Sequence, residues 1–267
     1  MIKMKKLTKV LAVILAAVFV FGCFAACSNS GKSDTDSDLA YIQNKGKLVV
    51  GITDFAPMDY KDENGEWIGF DADLGRKVAE KLGVDIEFVE ITWNNKVFEI
   101  NTKAIDCAWN GMTITDELKE SLDITNAYAQ NQQVVVMKAD KLADYKTVED
   151  LKKLQFAVED GSAGKDAAEA NEFKFTVVNA QSDALLEVKS GAVDACIIDS
   201  TMAAAMTGEG TDYADLAAGI QLVDEQYGIA FRQGSDMVAK MNELFEEFKA
   251  DGTLKELAEK YNVQLAD

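Results

Sequence analysis

The sequence lacks histidine altogether, in a chain of 267 residues. This absence removes the side chain that most often acts as a general base near neutral pH, and it removes the most common zinc ligand. It also excludes serine and cysteine nucleophiles that an imidazole would activate. We therefore predict a protein that is not an enzyme, with no catalytic residue, no metal site and no cofactor.

Positive charge is scarce as well. The chain has 27 basic residues against 46 acidic ones, and its formal net charge is −19. A surface of this sign repels the phosphates of nucleic acids, so DNA and RNA are excluded as partners. Arginine occurs at two positions, Arg76 and Arg232.

The N-terminus begins with lysines and continues as an unbroken apolar run from Val10 to Phe21. This run is too short to cross a bilayer core of about 30 Å, and the pattern is typical of a secretory signal peptide, here 1–26. The small residues before Cys27 resemble the lipobox at which bacterial lipoproteins are cleaved and acylated, with Cys23 as the alternative site. A secreted protein with an unmodified cysteine is the simpler alternative.

The stretch that follows Cys27 is polar and contains no aromatic residue up to Asp38. Such a segment cannot bury enough apolar surface to fold. We predict a flexible, lipid-anchored linker over 27–38. The protein would then lie at the extracellular face of the cell membrane, which it touches only through its N-terminal lipid.

From about residue 39, short apolar strands alternate with amphipathic helices. Leu48 to Ile52 is predicted as a strand, and the helical spacing of apolar residues predicts a helix from Phe70 to Leu82 that Gly83 ends. The same alternation returns between Phe156 and Ile198. It predicts an α/β fold with mainly parallel sheets covered on both faces, and about 230 residues suggest two domains.

Two cysteines, Cys107 and Cys196, lie in the predicted folded part, each inside an apolar run with the pattern of a buried strand. We expect two core thiols rather than a disulfide. The acidic pair Asp71 and Asp73 lies at a predicted helix start, where carboxylates interact favourably with the helix dipole, so we interpret it as structural.

One segment recurs 88 residues later in the chain. Glu99, Ala104, Ile105 and Asp106 return as Glu187, Ala192, Val193 and Asp194. Any helix-to-strand turn could produce such a match, but the repeat places Asn110 and Asp199 at equivalent strand ends. Ligands of open parallel sheets bind beyond the carboxyl ends of strands, so two facing domains would bring both ends into one cleft.

Five motifs stand in order along the chain: Leu48–Gly51, Pro57–Tyr60, Gly69–Leu74, Gly111–Thr115 and Gln226–Phe231. Over residues 40–262 the chain resembles the amino-acid-type solute-binding proteins of ABC importers, family 3. The resemblance implies two Rossmann-like lobes joined by a two-strand hinge, the type II periplasmic-binding-protein-like fold. It also implies a monomer that hands its ligand to an ABC permease.

The resemblance sets the boundaries of the two lobes. Lobe 1 is 39–130 plus 229–267, and lobe 2 is 131–228. The hinge crossings are expected near Gln130 to Val134 and near Glu225 to Gly228.

The resemblance also assigns ligand contacts in lobe 1. Phe55 and Trp93 correspond to aromatic walls of the family's pocket, although either ring could instead pack in the core, where we place Trp109. Asn110, Gly111 and Thr113 correspond to a strand-end motif whose backbone and hydroxyl groups bind the main-chain-like end of the ligand, and glycine allows a close backbone approach.

In lobe 2 the resemblance assigns a strand end and the loop after it. Glu159 ends the strand, and Gly161, Ser162 and Ala163 form a glycine-bearing loop at a helix N-terminus. Asp199 corresponds to the carboxylate that receives the α-ammonium of an amino acid. It could also cap the helix that follows.

One position departs from the family's pattern. An arginine that clamps the ligand's α-carboxylate is expected where this chain has Leu118, and Lys119 points elsewhere on the helix. Leaving a buried carboxylate without its partner costs about 2 to 5 kcal/mol. Unless another cation takes its place, we expect a ligand rich in positive charge, held by Glu159 and Asp199: a basic amino acid, an amine or an amide-capped species.

Together these features predict an extracellular substrate-binding lipoprotein of an ABC importer, with a small polar or cationic solute as its ligand. Two alternatives belong to other classes. One is a secreted enzyme of the same fold, similar to cyclohexadienyl dehydratase. The other is a sensory ligand-binding module.

Overall fold

The computed structural model describes residues 37–267. The predicted signal peptide, both candidate lipidation sites (Cys23 and Cys27) and nearly all of the predicted linker lie outside the described residues. No helix within 37–267 is both long and apolar enough to cross a membrane.

A mixed sheet of nine strands is the framework of the described residues. The strands, in chain order and including a separate pair formed by β2 and β3, are β1 Lys47–Ile52, β2 Tyr60–Lys61, β3 Trp67–Ile68, β4 Asp85–Glu90, β5 Cys107–Thr113, β6 Leu122–Ile124, β7 Ala129–Lys138, β8 Gln155–Glu159, β9 Lys174–Val178, β10 Ala195–Asp199 and β11 Leu216–Arg232. The order across the sheet is β4-β1-β5-β11-β7-β10-β8-β9, and β6 pairs with β11.

The helices connect and cover these strands. They are α1 Asp38–Lys45, α2 Phe70–Leu82, α3 Lys96–Asn101, α4 Asp116–Ser121, α5 Val148–Leu151, α6 Ala163–Ala170, α7 Gln181–Ser190, α8 Ser200–Met206, α9 Met237–Asp251 and α10 Thr253–Tyr261, with 3-10 turns at Trp93–Asn95 and Ala139–Asp144. The predicted α/β class is therefore confirmed.

Strand direction changes across the sheet. At its two ends the strands are parallel, since β1 pairs with β4 and β5, and β8 pairs with β9 and β10. The centre is antiparallel, because β11 pairs with β5 and β7, and β7 pairs with β10. The expectation of mainly parallel pairing is thus wrong for the centre, where β7 and β11 carry the chain across the sheet in opposite directions.

Both faces of the sheet are buried at β7 and β10, as expected, whereas β4, β9 and the first half of β11 are partly exposed. Val135 and Ile197 pack into one apolar cluster, whereas their neighbours Val136 and Ile198 pack into another. Successive side chains of a strand point to opposite faces, so each face has its own core. Trp109 is 1% exposed and lies in the core, as expected.

Two local predictions are confirmed. Helix α2 buries Phe70 and Leu82 at its two ends, and Gly83 ends it with a φ of 71°, which favours glycine. Cys107 and Cys196 are buried free thiols.

The repeated segments make the same turn twice. In each, the N–H of the alanine donates to the carbonyl oxygen of the glutamate at 3.0 Å. The aspartate that follows then holds a neighbouring parallel strand: Asp106 Oδ2 accepts from the N–H of Val49 at 2.7 Å, and Asp194 Oδ2 accepts from the N–H of Gln155 at 2.9 Å. This shared device brings β5 and β10 to equivalent positions.

The folded part starts earlier than residue 39, the boundary expected from the sequence. Ser37 caps α1 through a 3.0 Å hydrogen bond from the N–H of Ala40, and Asp38 is the first helical residue. The physical reason is an ion pair, because the Asp38 carboxylate lies 2.9 Å from Nη2 of Arg232 and is buried.

Arg232 is the centre of a buried ionic cluster at the end of β11. Its guanidinium donates to Asp38 and to the carbonyl oxygens of Ile100 and Ile105, at 3.0 and 3.2 Å. Asp106 lies 3.8 Å away and also receives the ammonium of Lys45 at 2.6 Å. The cluster ties the first helix, the turn before β5 and the last strand together.

We predict that Arg232→Met lowers the free energy of unfolding by about 3 to 5 kcal/mol, because it leaves the buried Asp38 carboxylate without its guanidinium partner and two buried carbonyl oxygens without their donor. Urea unfolding monitored by circular dichroism measures this. Arg76→Met is the matched control, since the Arg76 side chain is 39% exposed and pairs with Asp73 at 3.2 Å, an interaction worth at most about 1 kcal/mol. Equal losses in the two variants would contradict the prediction.

Candidate functional site

A cleft of about 310 Å³ lies at the carboxyl ends of β5, β8 and β10. Lining residues between 55 and 118 form one side, which we call the β5 wall, and those between 159 and 199 form the β8–β10 wall. The structure brings together around this cleft all eleven residues that the resemblance implied, namely Phe55, Trp93, Asn110, Gly111, Thr113, Leu118, Glu159, Gly161, Ser162, Ala163 and Asp199. Their part in ligand binding stays a prediction.

The two aromatic residues serve both the core and the cleft. Phe55 is 2% exposed, and its ring meets Tyr227 edge-on with centroids 6.4 Å apart. Trp93 packs with Ile100 and Met112 in an apolar cluster under the β5 wall. Packing and contact with the cleft are therefore compatible for both rings.

The Asn110 side chain has no hydrogen bond left to offer. Its Oδ1 accepts from the N–H and the hydroxyl of Thr53, at 2.9 and 2.8 Å. Its Nδ2 donates to the carbonyl oxygen of Thr53 at 3.2 Å and to Asp59 Oδ2 at 2.7 Å. A carboxamide has two donors and two acceptor sites, all used here. Asn110 thus positions the loop after β1, and only its backbone remains for a ligand.

Gly111 is required by its surroundings. Its φ is 53°, and a Cβ there would lie 2.6 Å from Cε1 of Phe55. Its N–H donates to Asp71 Oδ2 at 2.7 Å, and the same oxygen accepts from the Tyr128 hydroxyl at 2.8 Å. Burial raises the pKa of Asp71. Asp71 is therefore structural, as interpreted from the sequence, and its task is to hold the end of β5.

The β8–β10 wall presents a buried carboxylate at Glu159, which is 3% exposed and whose Oε1 has no hydrogen-bond partner within 37–267. Burial and then the nearby Asp199 raise the pKa of Glu159 to about 8. Ser162 is committed to helix α6, since its hydroxyl donates to the carbonyl oxygen of Glu159 at 2.8 Å and accepts from the N–H of Lys165 at 3.2 Å.

Asp199 ends β10 and is 2% exposed. Its carboxylate accepts from the Tyr227 hydroxyl at 2.6 Å and from Nε2 of Gln133. Burial and then the neighbouring Glu225 raise the pKa of Asp199 above its usual range. Asp199 stands at the N-cap position of α8 but its side chain makes no capping hydrogen bond, so the alternative role in helix capping is wrong.

Two contacts join the walls at the rim of the cleft. Asn94 Nδ2 donates to Asp160 Oδ2 at 3.0 Å, and the Lys96 ammonium donates to the carbonyl oxygen of Gly161 at 2.8 Å. Gly161 has a φ of 74°, and a Cβ there would lie 2.7 Å from Cα of Asn94. The absence of a side chain at this position allows the walls to meet.

Lys96 is the buried cation of the cleft, and it is one of several lining residues that the sequence did not predict. It is 6% exposed, it lines the cleft, and burial lowers its pKa to about 8. Its one signal in the sequence is its place just after the polar turn Trp93–Asn95. Within 37–267, no group of His, Cys, Asp and Glu is arranged to hold a metal ion.

The chain matches the family described as bacterial extracellular solute-binding proteins, family 3, over residues 48–264. It is 29% identical over 259 residues to the arginine-binding extracellular protein ArtP of Bacillus subtilis, covering 95% of this chain and 97% of that protein. A crystal structure of a mutant of ArgBP from T. maritima is 35% identical with a TM-score of 0.78, covering 84% of this chain and 98% of that one. The ancestral amino acid-binding protein AncCDT-1, a precursor of cyclohexadienyl dehydratase, is 33% identical with a TM-score of 0.78, covering 84% and 99%.

We predict that Glu159→Gln removes part of the pH dependence of stability in the ligand-free protein. Because the pKa of Glu159 is raised from 4.5 to about 8, the native state holds a proton that the unfolded chain releases, and stability is lost as pH rises from about 5 to 8. Urea unfolding at both ends of this range should show the wild type losing about 2 kcal/mol more than the variant. Glu63→Gln, at an exposed position, should leave the wild-type slope unchanged, and an unchanged slope in Glu159→Gln would contradict the prediction.

Proposed function

Since the chain belongs to the bacterial extracellular solute-binding proteins, family 3, we propose that it binds an amino acid or a related small amine-bearing solute in the cleft and delivers it to an ABC permease. The observation that carries this proposal is the Asp199 carboxylate, which lies on the cleft wall at the end of β10. Tyr227 and Gln133 occupy part of its acceptor capacity, and a carboxylate has about four acceptor sites. An α-ammonium can therefore be received there.

Glu159 makes a basic side chain the preferred feature of the ligand. Its Oε1 is buried without a hydrogen-bond partner in the described chain, on the same wall as Asp199. A second positive charge, from an ammonium or a guanidinium, would meet this oxygen and favour its ionised form. The arginine-binding relative from B. subtilis supports this choice.

Delivery requires a closing motion and a place at the membrane. We place the hinge at Gln130–Val134 and Glu225–Gly228, between lobes 39–130 plus 229–267 and 131–228. In support, these segments run side by side in the sheet, where Asn131 pairs with Glu225. The closed form of a monomer, held at the extracellular face by a lipid on Cys27 or Cys23, would be the form that the permease recognises.

We predict that arginine and lysine bind tightest when the twenty amino acids are titrated into the mature protein by calorimetry, and that Asp199→Asn weakens that binding by about 100-fold. The variant leaves the ligand's ammonium without its charged partner. Asp140→Asn, at an exposed position outside the cleft, should bind like the wild type. Tight binding of only glutamate or aspartate would refute the charge argument. Recovery of the ligand unchanged after incubation excludes the dehydratase alternative.

A second prediction concerns selectivity between arginine and citrulline, its neutral isostere. The wild type should prefer arginine because Glu159 meets the guanidinium, and Glu159→Gln should reduce that preference by about 10-fold or more. Competition between the two ligands measures the ratio directly. If the ratio stays at its wild-type value, Glu159 does not contact the side chain of the ligand.

A further inference from the structure

Lys96 occupies an unusual place for a lysine. It is the first residue of α3, directly after the turn that carries Trp93, and it lies on the β5 wall of the cleft. Only 6% of it is exposed, although lysine is almost never fully buried without a partner of opposite charge. The position of this ammonium therefore requires an explanation.

The hydrogen bonds of Lys96 go only to neutral groups. Nζ donates to the carbonyl oxygen of Gly161 at 2.8 Å and, more weakly, to that of Trp93 at 3.4 Å. The Trp93 ring lies 4.8 Å from Nζ. Carbonyl oxygens and a ring face carry partial charge only. An ammonium has three donors, so at least one N–H remains for a group inside the cleft.

Lys165 is the other cation that lines the cleft, and it differs from Lys96 in its ion pairing and in its exposure to solvent. Its Nζ lies 3.0 Å from Asp160 Oδ1, and its side chain is 27% exposed. Its charge is thus already paired and close to solvent. Lys96, by contrast, is buried, and although acidic residues lie nearby, it has no carboxylate within salt-bridge distance among the described residues.

Leu118 cannot supply that positive charge. Its side chain packs against the cluster that contains Trp93 and Met112, and its N–H donates to Oγ1 of Thr115 at 3.1 Å. The position where the resemblance implies an arginine is therefore apolar. Lys96 lines the same cleft as the carboxylates of Glu159 and Asp199, and its ammonium reaches the β8–β10 wall at Gly161.

We infer that Lys96 receives the carboxylate of the ligand, so that the cleft recognises an intact amino acid rather than a simple amine. This inference rests on the proposed function and narrows its ligand class. Lys96 would bind the carboxylate, while Asp199 and Glu159 would bind the α-ammonium and a basic side chain. The carboxylate would also compensate the ammonium, whose pKa burial lowers despite the nearby acidic residues.

The test compares L-arginine with L-argininamide, which lacks the carboxylate, at about pH 6, where both α-amines are protonated. Calorimetry should show that the wild type prefers arginine by about 100-fold, and that Lys96→Met lowers this preference to about 3-fold or less while changing the affinity for argininamide little. Lys165→Met, the matched control, should keep the wild-type preference. If lysine, histidine or glutamine binds tighter than arginine, the same comparison uses its carboxamide.

Three outcomes would overturn the inference. If Lys96 only holds the walls together, Lys96→Met weakens arginine and argininamide equally. If the wild type binds both equally well, the carboxylate is not recognised, while the proposed function stands. If no amino acid binds to the wild type, the proposed function itself fails and the inference falls with it. The double variant Lys96→Met with Leu118→Arg should restore the preference, and thermal unfolding verifies that each variant is folded.

Discussion

Charge that is buried without a salt bridge is the constraint on which the cleft depends. Asp199, Glu159 and Lys96 are 2%, 3% and 6% exposed. Removing an ion from water costs several kcal/mol, and the hydrogen bonds from Tyr227 and Gln133 to Asp199 offset part of that cost. A ligand with complementary charges would offset the rest. The buried charges that destabilise the ligand-free protein would therefore favour the ligand-bound protein.

The regular elements could be predicted because their signals are local. Helix α2 follows from apolar spacing and a glycine end, and the repeated turns follow from a short segment that ends in Asp106 or Asp194. The antiparallel centre of the sheet could not be predicted in this way. Alternating strands and helices indicate a parallel sheet, whereas the direction of β7 and β11 is set by their pairing with each other over long sequence distances.

The candidate site could be predicted only as far as its motifs extend. The motifs identify Asn110, but not that Thr53 and Asp59 already use its carboxamide. Lys96 was not predicted as a site residue, because a lysine at the start of a short helix has the pattern of a solvated residue. Its burial results from the loop that carries Gly161, 65 residues further along the chain. What a side chain can still offer to a ligand depends on such distant partners.

The absence of a side chain at Gly161 would also affect the rate at which a ligand enters and leaves the cleft. A Cβ at this position would lie 2.7 Å from Cα of Asn94 on the other wall. The methyl group of an alanine would therefore clash there and keep the two walls apart at the rim. A bound ligand would then dissociate faster, and a new ligand could bind without a prior opening of the cleft. If the proposed function holds, the missing side chain at Gly161 would set how long the ligand is retained, independently of the groups that bind it.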